Sequence, residues 1–456
     1  MSTSPLQPTP PGSPLAQHEQ RLPAPAVNNN NNKSRAHTPS PTSFSMPSLF
    51  GERTRTPDLD AKTSEPTLTS HPSWDRATKL AVNGIRVLTA LTEGPVNLAK
   101  IRKVRSMVTL PTNTGVHIEP VSIPRRSDIL IDKMVQEEAE GAIDAEWVTY
   151  DANHIEVGPV TLKQGDTTEH TTAVLYLHGG GYALCSRKTH RSLTWKVAKN
   201  AQARVLAIDY RLAPEHVYPL ALHDAVSAYT FMLRETPADK IVIAGDSAGA
   251  GLALATALWL RDNKIEMPAG VALMSPWIDL SHSLPSFQHM GRFDLLREKV
   301  IDHTVISDDR SHFYVRDNSY LKNPYVSPLF ASETDTPLPP ILIQVGECER
   351  LRDESLVFAT SNFKSNPLQL EIYEGMVHVF QMLSTFIKIS DVALERFGSF
   401  IRKVTEDGDM RSQRKLVWVR NDQKTGFPVR TIEQEEIEQL MKVGQEPVPE
   451  PVQDGL

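Results

Sequence analysis

Hydrophobic positions along the chain change period repeatedly. Short unbroken apolar runs at Ala173–Leu177, Val205–Ile208, Ile241–Ala244, Val271–Met274 and Ile341–Val345 are bounded by turn residues and predict strands buried on both faces. Between them, apolar residues recur at helical spacing, which predicts helices over 190–200, 219–234, 248–262 and 351–364. This β-then-α alternation predicts an α/β fold, a mainly parallel sheet with helices on both faces.

Upstream, Ser73 is a candidate N-cap for an amphipathic helix carrying Leu80, Ile85, Val87, Leu88 and Leu91, stopped by Gly94-Pro95. A second helix is expected from about Ser127 to Glu138, then a strand at Glu146–Tyr150. The rhythm breaks at 280–322, where Phe287, Met290, Phe293, Leu295 and Leu296 stand among charges. That segment reads as an insertion over the carboxyl edge of the sheet, where ligands of α/β proteins bind. One large domain is therefore expected over 73–405. A charged appendage follows at 406–456, with a strand-like Leu416–Val419 and a loose Glu-Pro-Val-Pro-Glu-Pro end.

Composition changes the picture at the N-terminus. About a third of the 34 prolines fall before residue 70, among Ser, Thr and the run Asn28–Asn32. Such a segment buries too little to offset its ordering entropy, so 1–72 is expected to be a disordered arm. Its pairs Thr9-Pro10, Ser13-Pro14, Thr38-Pro39, Ser40-Pro41 and Thr56-Pro57 fit either a phosphorylated regulatory tail or an inert linker. The first residues lack a basic and an apolar region, so no secretory leader is expected and the protein is placed inside the cell, in the cytoplasm. The apolar stretch Ala248–Leu260, about 13 residues long, is too short to cross a bilayer and reads as a buried helix.

The net charge of -7 lacks the basic footprint of a nucleic-acid partner. Two cysteines, Cys185 and Cys348, have no metal-type spacing and are expected as free thiols. No metal site or other cofactor is implied.

The chemistry sits at Ile241-Val-Ile-Ala-Gly245-Asp246-Ser247-Ala248-Gly249, a buried strand entering G-x-S-x-G and running directly into an apolar helix. A serine on such a turn needs small neighbours. About 70 residues earlier, the strand Ala173–Leu177 runs into His178-Gly179-Gly180-Gly181-Tyr182. Consecutive glycines let backbone N–H groups approach a developing oxyanion, each worth roughly 3 kcal/mol in a transition state. A phosphate loop is disfavoured, because no Gly-Lys-Ser/Thr follows and a second donor is available at Ala248.

In hydrolases of this pattern the acid and then the histidine follow the serine. His378, in a loop after the strand-like Leu370–Tyr373, is the best base. His282, His289, His303 and His312 fall in the insertion and read as solvent-facing or lid residues. After Ile341–Val345 come Glu347, Glu349, Asp353 and Glu354; the last two fit the first turn of the next helix, where the dipole favours negative charge. Glu349 is the chosen acid.

These residues resemble the hormone-sensitive-lipase-like branch of the α/β-hydrolase superfamily, with its HGGG loop and G-D-S-A-G elbow. The resemblance covers roughly 125–405 and includes Tyr210-Arg-Leu-Ala-Pro-Glu215, Ser275-Pro-Trp277 and Asn323-Pro-Tyr-Val-Ser-Pro-Leu329. It implies an α/β-hydrolase fold with a helical cap and serine-dependent hydrolysis of carboxylic esters. Ser247 would attack, His378 would act as base, Glu349 would orient it, and Gly180, Gly181 and Ala248 would hold the oxyanion. Asp246 and Glu215 would bond loops beneath the site, and Tyr182 and Trp277 would line a pocket or pack the core. The frame Glu349-Arg-Leu-Arg-Asp353-Glu354 puts glutamate where the family usually has aspartate, which keeps Asp353 as a rival acid. Ala250 and Val379 replace family glycines beside the site and would narrow it.

The expected substrate is a small-molecule ester of short to medium acyl length, or an acylated lipid or sterol. An amidase or deacetylase with the same triad, and a non-catalytic receptor on the same fold, are the rivals. The helix near 76–92 and the insertion leave room for a cap, for contact with a membrane or lipid-droplet surface, and for a homodimer.

Overall fold

A computed structural model of the chain describes residues 68–91, 114–129, 131, 140–152, 171–296, 312–406 and 413–443. These residues all belong to one compact unit. The expected arm up to 67, most of the helix expected at 127–138, part of the insertion at 297–311 with His303, and the Pro-rich end after 443 lie outside the described residues.

In chain order the elements are α1 (Arg76–Leu91), β1 (Val116–Pro124), β2 (Ala142–Tyr150), β3 (Ala173–Leu177), α2 (Arg191–Ala201), β4 (Arg204–Ile208), α3 (Leu220–Met232), β5 (Ile241–Asp246), α4 (Ser247–Asp262), β6 (Gly270–Met274) and the short α5 (Pro285–His289). They continue with β7 (Ile341–Gly346), α6 (Arg352–Val357), β8 (Leu368–Tyr373), α7 (Lys388–Glu406), β9 (Arg414–Val419), β10 (Val429–Thr431) and α8 (Gln434–Val443). Among the described residues the strands form one sheet in the order β1-β2-β4-β3-β5-β6-β7-β8-β9-β10. From β4 to β9 all pairings are parallel; β1, β2 and β10 add antiparallel edges.

The apolar runs are strands because both their faces are covered. On one face, Val174, Tyr176, Val205, Val242, Ala244, Ala272 and Leu342 pack under Leu193 and Val197 of α2 and Leu394, Phe397 and Ile401 of α7. The alternate residues Leu175, Leu206 and Ile243 are equally buried, on the face covered by α3 and α4, which pack on each other.

Three elements differ from expectation for identifiable reasons. The strand β1 carries Pro120 and Pro124, which break the strand signal but are tolerated because β1 lies at an edge and, among the described residues, pairs with β2 alone. The helix expected at 351–364 gives way after Val357 to a π-helical turn at Phe358–Asn362. In α1 the cap is Asp75, whose Oδ1 accepts the Thr78 N–H at 2.7 Å, whereas Ser73 Oγ bonds the His71 ring. The expected apolar stripe of that helix docks only in part: Ile85 packs on the core beside the buried Val82 and Arg86, whereas Leu80 and Val87 are 67% and 60% exposed and the side chains of Leu88 and Leu91 lie outside the described residues. Residues 414–419 join the sheet beside β8.

Candidate active site

The turn from β5 into α4 places Ser247 at φ 53°, in the left-handed region. The two glycines flanking it have no space for a side chain. A Cβ on Gly245 would stand 2.6 Å from the Leu177 oxygen, and one on Gly249 only 2.0 Å from it. The glycines of the motif are thus required by the close approach of β3. Asp246, directly before the serine, is buried; its Oδ1 accepts the Tyr176 hydroxyl at 2.8 Å and the Gly179 N–H at 3.1 Å, and its Oδ2 lies 3.3 Å from His190 Nε2. It ties the elbow to the glycine loop, as expected. Glu215, expected to do likewise, is exposed. Asp224, on α3, is a buried carboxylate that accepts Arg211 through both backbone and guanidinium and Arg125 Nε at 2.8 Å.

His378 follows β8 and Glu349 follows β7, both at the carboxyl ends of the strands. His378 Nε2 is 2.9 Å from Ser247 Oγ, and Nδ1 is 3.2 Å from Glu349 Oε2. A carboxylate only accepts, so the ring proton belongs on Nδ1 and the Nε2 lone pair faces the serine hydroxyl. Such a ring can take the proton of that hydroxyl. Ser247 and His378 are 8% and 7% exposed, so little water competes for these contacts. Burial alone would lower the His378 pKa, but the bond to Glu349 and the charges of Glu349, Asp294 and Asp246 outweigh it and raise it. Burial pushes the Glu349 carboxyl upward, while His378 and the Gly346 N–H draw it back. Its other oxygen, Oε1, accepts Ser275 Oγ at 2.7 Å and the Gly346 N–H.

The rival acid, Asp353, bonds elsewhere: Oδ2 accepts the Ser286 N–H at 3.0 Å and Oδ1 accepts Arg352 Nε at 2.9 Å. Glu354 accepts the Ile278 and Asp279 N–H groups, each at 2.5 Å. Both stand in the first turn of α6, as expected.

In the glycine loop, Gly180 and Gly181 have φ of 113° and 59°. A Cβ on Gly180 would meet the Leu184 oxygen at 2.4 Å, so glycine is required. Among the described residues the N–H groups of Gly180, Gly181 and Ala248 have no hydrogen-bond acceptor, which leaves them available to an anion. His178 stacks on Tyr210 with ring centres 4.4 Å apart and bonds the Gly179 oxygen at 2.7 Å. Beside the loop, Tyr182 stacks on Tyr314 at 3.8 Å, and Trp277 approaches to 4.0 Å from the Cβ direction of Gly181. Tyr182 and Trp277 are both buried. His282 and His312 are half-buried against Trp277 rather than facing solvent, while His289 is exposed.

Two residues escaped the sequence reading. Ser275, in the Ser-Pro-Trp run, was a motif member without a role; its Oγ also accepts the Val379 N–H at 3.0 Å. Asp294, in the insertion, accepts the His378 N–H at 2.9 Å. Its sole sequence signal is an isolated acid between Phe293 and Leu295.

Away from the serine, His71, Glu347 and Cys348 bring metal-ligand atoms within 4.8 Å of one another. Glu347 Oε2 already accepts the Gly375 N–H at 2.8 Å, and burial pushes the Cys348 thiol well up, disfavouring the thiolate a metal needs. The group forms a polar seam beside α1. Cys185 and Cys348 are both free thiols. Among the described residues no helix is long and apolar enough to cross a membrane.

Residues 174–382 match the α/β hydrolase fold family. The chain is 34% identical over 284 residues to an acetyl-hydrolase of Streptomyces hygroscopicus, covering 59% of this chain and 92% of that protein. It is 35% identical over 239 residues to an esterase of Acinetobacter venetianus, covering 52% of this chain and 77% of that one. Among solved structures, EstE5 soaked with p-nitrophenyl butyrate is similar with a TM-score of 0.57 and 30% identity, over 74% of this chain and 99% of that chain. An esterase from the bacterial hormone-sensitive lipase family matches with a TM-score of 0.57 and 28% identity, over 74% and 100% of the two chains. Fold and sequence thus define a carboxylesterase-type hydrolase. The chain belongs to the α/β hydrolase fold family, in its hormone-sensitive-lipase-like branch.

Proposed function

We propose that this chain hydrolyses small carboxylic esters through an acyl-enzyme on Ser247. The observation that carries the reading is the chain of contacts Ser247–His378–Glu349, at 2.9 and 3.2 Å. Ser247 Oγ adds to the ester carbonyl carbon while its proton passes to His378 Nε2. Glu349 keeps the ring oriented and stabilises its positive charge. The carbonyl oxygen, now an anion, is received by the N–H groups of Gly180, Gly181 and Ala248. The carbon–alkoxy bond then breaks, and the imidazolium returns its proton to the departing alcohol. Water, deprotonated by His378, adds to the acyl carbon; the bond to Ser247 Oγ then breaks, the imidazolium returns its proton to that oxygen, and the acid leaves.

A short acyl group is favoured by the aromatic wall of Tyr182, Tyr314 and Trp277 packed beside Gly181. Relatives named acetyl-hydrolase and ethyl acetate hydrolase support the same size class. Labelling with a fluorophosphonate probe and a chain-length series of p-nitrophenyl esters test the reading together. Covalent label on Ser247 and turnover that falls beyond butyryl support it. No label on Ser247 sinks the mechanism, and a preference for long acyl chains sinks the substrate class. Hydrolysis of acetanilides with no ester turnover assigns the same site to an amidase.

A further inference from the structure

Asp294 is a buried carboxylate in the segment between α5 and the residues outside the description. Its Oδ1 accepts the N–H of His378 at 2.9 Å and of Leu295 at 2.7 Å; its Oδ2 accepts the N–H of Arg350 at 2.8 Å. Two of those three donors belong to the loops that end β8 and β7, one on the histidine itself and one on the residue after Glu349. A carboxylate is an expensive group to bury, and packing alone would be served by an apolar residue of similar volume. Here it joins two loops that are separated by a strand and a helix in the chain. We infer that Asp294 is a positioning residue, which fixes the spacing between the His378 ring and the Glu349 carboxylate by holding the backbones of both loops.

The N-terminal helix steadies the segment that carries it. Arg86 of α1 donates to the carbonyl oxygens of Arg292 and Phe293, immediately before Asp294. Trp74 donates to the Gly375 oxygen, in the loop of His378. A residue that only filled space would be indifferent to charge, whereas Asp294 also adds to the field that favours the imidazolium. The anions facing that ring are Glu349 at Nδ1, Asp294 beneath its backbone and Asp246 beyond the serine. Of the nearby cations, Arg350 donates to the Phe287 and Leu296 carbonyls, and Arg86 donates to those of Arg292 and Phe293 while its charge attracts Asp294.

This inference rests on the roles proposed above for Ser247, His378 and Glu349, and its test separates the two. The full-length variants Asp294→Asn and Asp294→Glu are assayed with p-nitrophenyl acetate, the working sites being counted by fluorophosphonate titration. An amide at 294 can accept at only one atom, so one loop is released, and the charge is lost. The expected result for Asp294→Asn is a kcat per titrated site about 10- to 100-fold lower, KM changed less than about twofold, and the acid limb of kcat/KM moved to lower pH. Asp294→Glu keeps the charge but not the geometry, so kcat falls while the limb stays near its wild-type midpoint. A wild-type kcat per titrated site in either variant overturns the inference, and the Glu variant decides it alone if the Asn variant does not fold. Failure of the wild-type enzyme to take the label at Ser247 overturns the catalytic reading instead.

Discussion

Ser275 Oγ lies 2.7 Å from Glu349 Oε1 and 3.0 Å from the Val379 nitrogen, so one hydroxyl joins the acid to the residue following the histidine. The serine donates to the carboxylate and accepts from the amide, and it is itself held at φ 47°. Removing it in Ser275→Ala leaves the buried Val379 N–H without an acceptor, at a cost of about 1–3 kcal/mol. Thermal melts should show that loss. Steady-state assays with p-nitrophenyl acetate should show kcat reduced by about tenfold, since Glu349 keeps the Gly346 N–H but loses its lateral support. An unchanged kcat would mean that Glu349 needs no help from this serine.

Loss of the proposed nucleophile should be far more severe. Ser247→Ala is expected to lower ester turnover by roughly 10⁶-fold. The melting temperature should stay close to wild type, because alanine fits the same turn and leaves the glycine contacts intact. A variant that still takes the fluorophosphonate label would place the nucleophile elsewhere.

Glu349 and Asp353 can be compared directly. Glu349→Ala removes the partner of His378 Nδ1 and is expected to lower kcat by roughly 10³–10⁴-fold. Asp353→Ala strips an acceptor from Ser286 and Arg352 and should act mainly on stability, with kcat per folded molecule nearly preserved. The reverse ranking in side-by-side kinetics would transfer the acid role to Asp353.

How legible each part was in the sequence follows from how local its physics is. Gly245 and Gly249 announce the elbow because neither has room for a Cβ beside β3. The central strands announce themselves because both faces are buried, which forces unbroken apolar runs. By contrast, Asp294 acts on amides 56 and 84 positions away, a relation that no local spacing records. Leu80 and Val87 stay exposed although they share helical spacing with Ile85, because α1 docks through Val82, Ile85 and Arg86. Val379, where the resemblance implies glycine, adopts the left-handed φ of 47°, a conformation costly for a β-branched residue and held by the bond to Ser275.

The rate should depend on pH with a definite sign. Only the neutral His378 ring can accept the serine proton, so kcat/KM rises as pH climbs through its pKa. Burial works to lower that pKa, but Glu349 and the other carboxylates raise it above the ordinary 6.5. The acid limb of the wild-type profile is therefore expected at a midpoint above 6.5. Replacing the anion in Glu349→Gln leaves burial less opposed, so the limb should move to lower pH while kcat falls. A wild-type midpoint below the ordinary value would contradict the field described here.

Acid should also act on stability through Asp224. Burial would raise its carboxyl, but the charge and hydrogen bonds of Arg211 and the bond from Arg125 prevail and hold it at about 2, against an ordinary 3.8. A depressed carboxyl contributes stability that is complete above its unfolded pKa and is lost as pH falls through the folded one. The window here runs from about pH 4 down to about pH 2, and the shift corresponds to about 2 kcal/mol. Asp224→Asn leaves the buried Arg211 without its counter-charge, so urea melts at neutral pH should show a loss of about 3–5 kcal/mol. The same variant should lose less additional stability than wild type when the melt is repeated near pH 3, since the titrating group is gone. An identical pH dependence in the two proteins would remove Asp224 from the acid transition and assign it to another buried carboxylate.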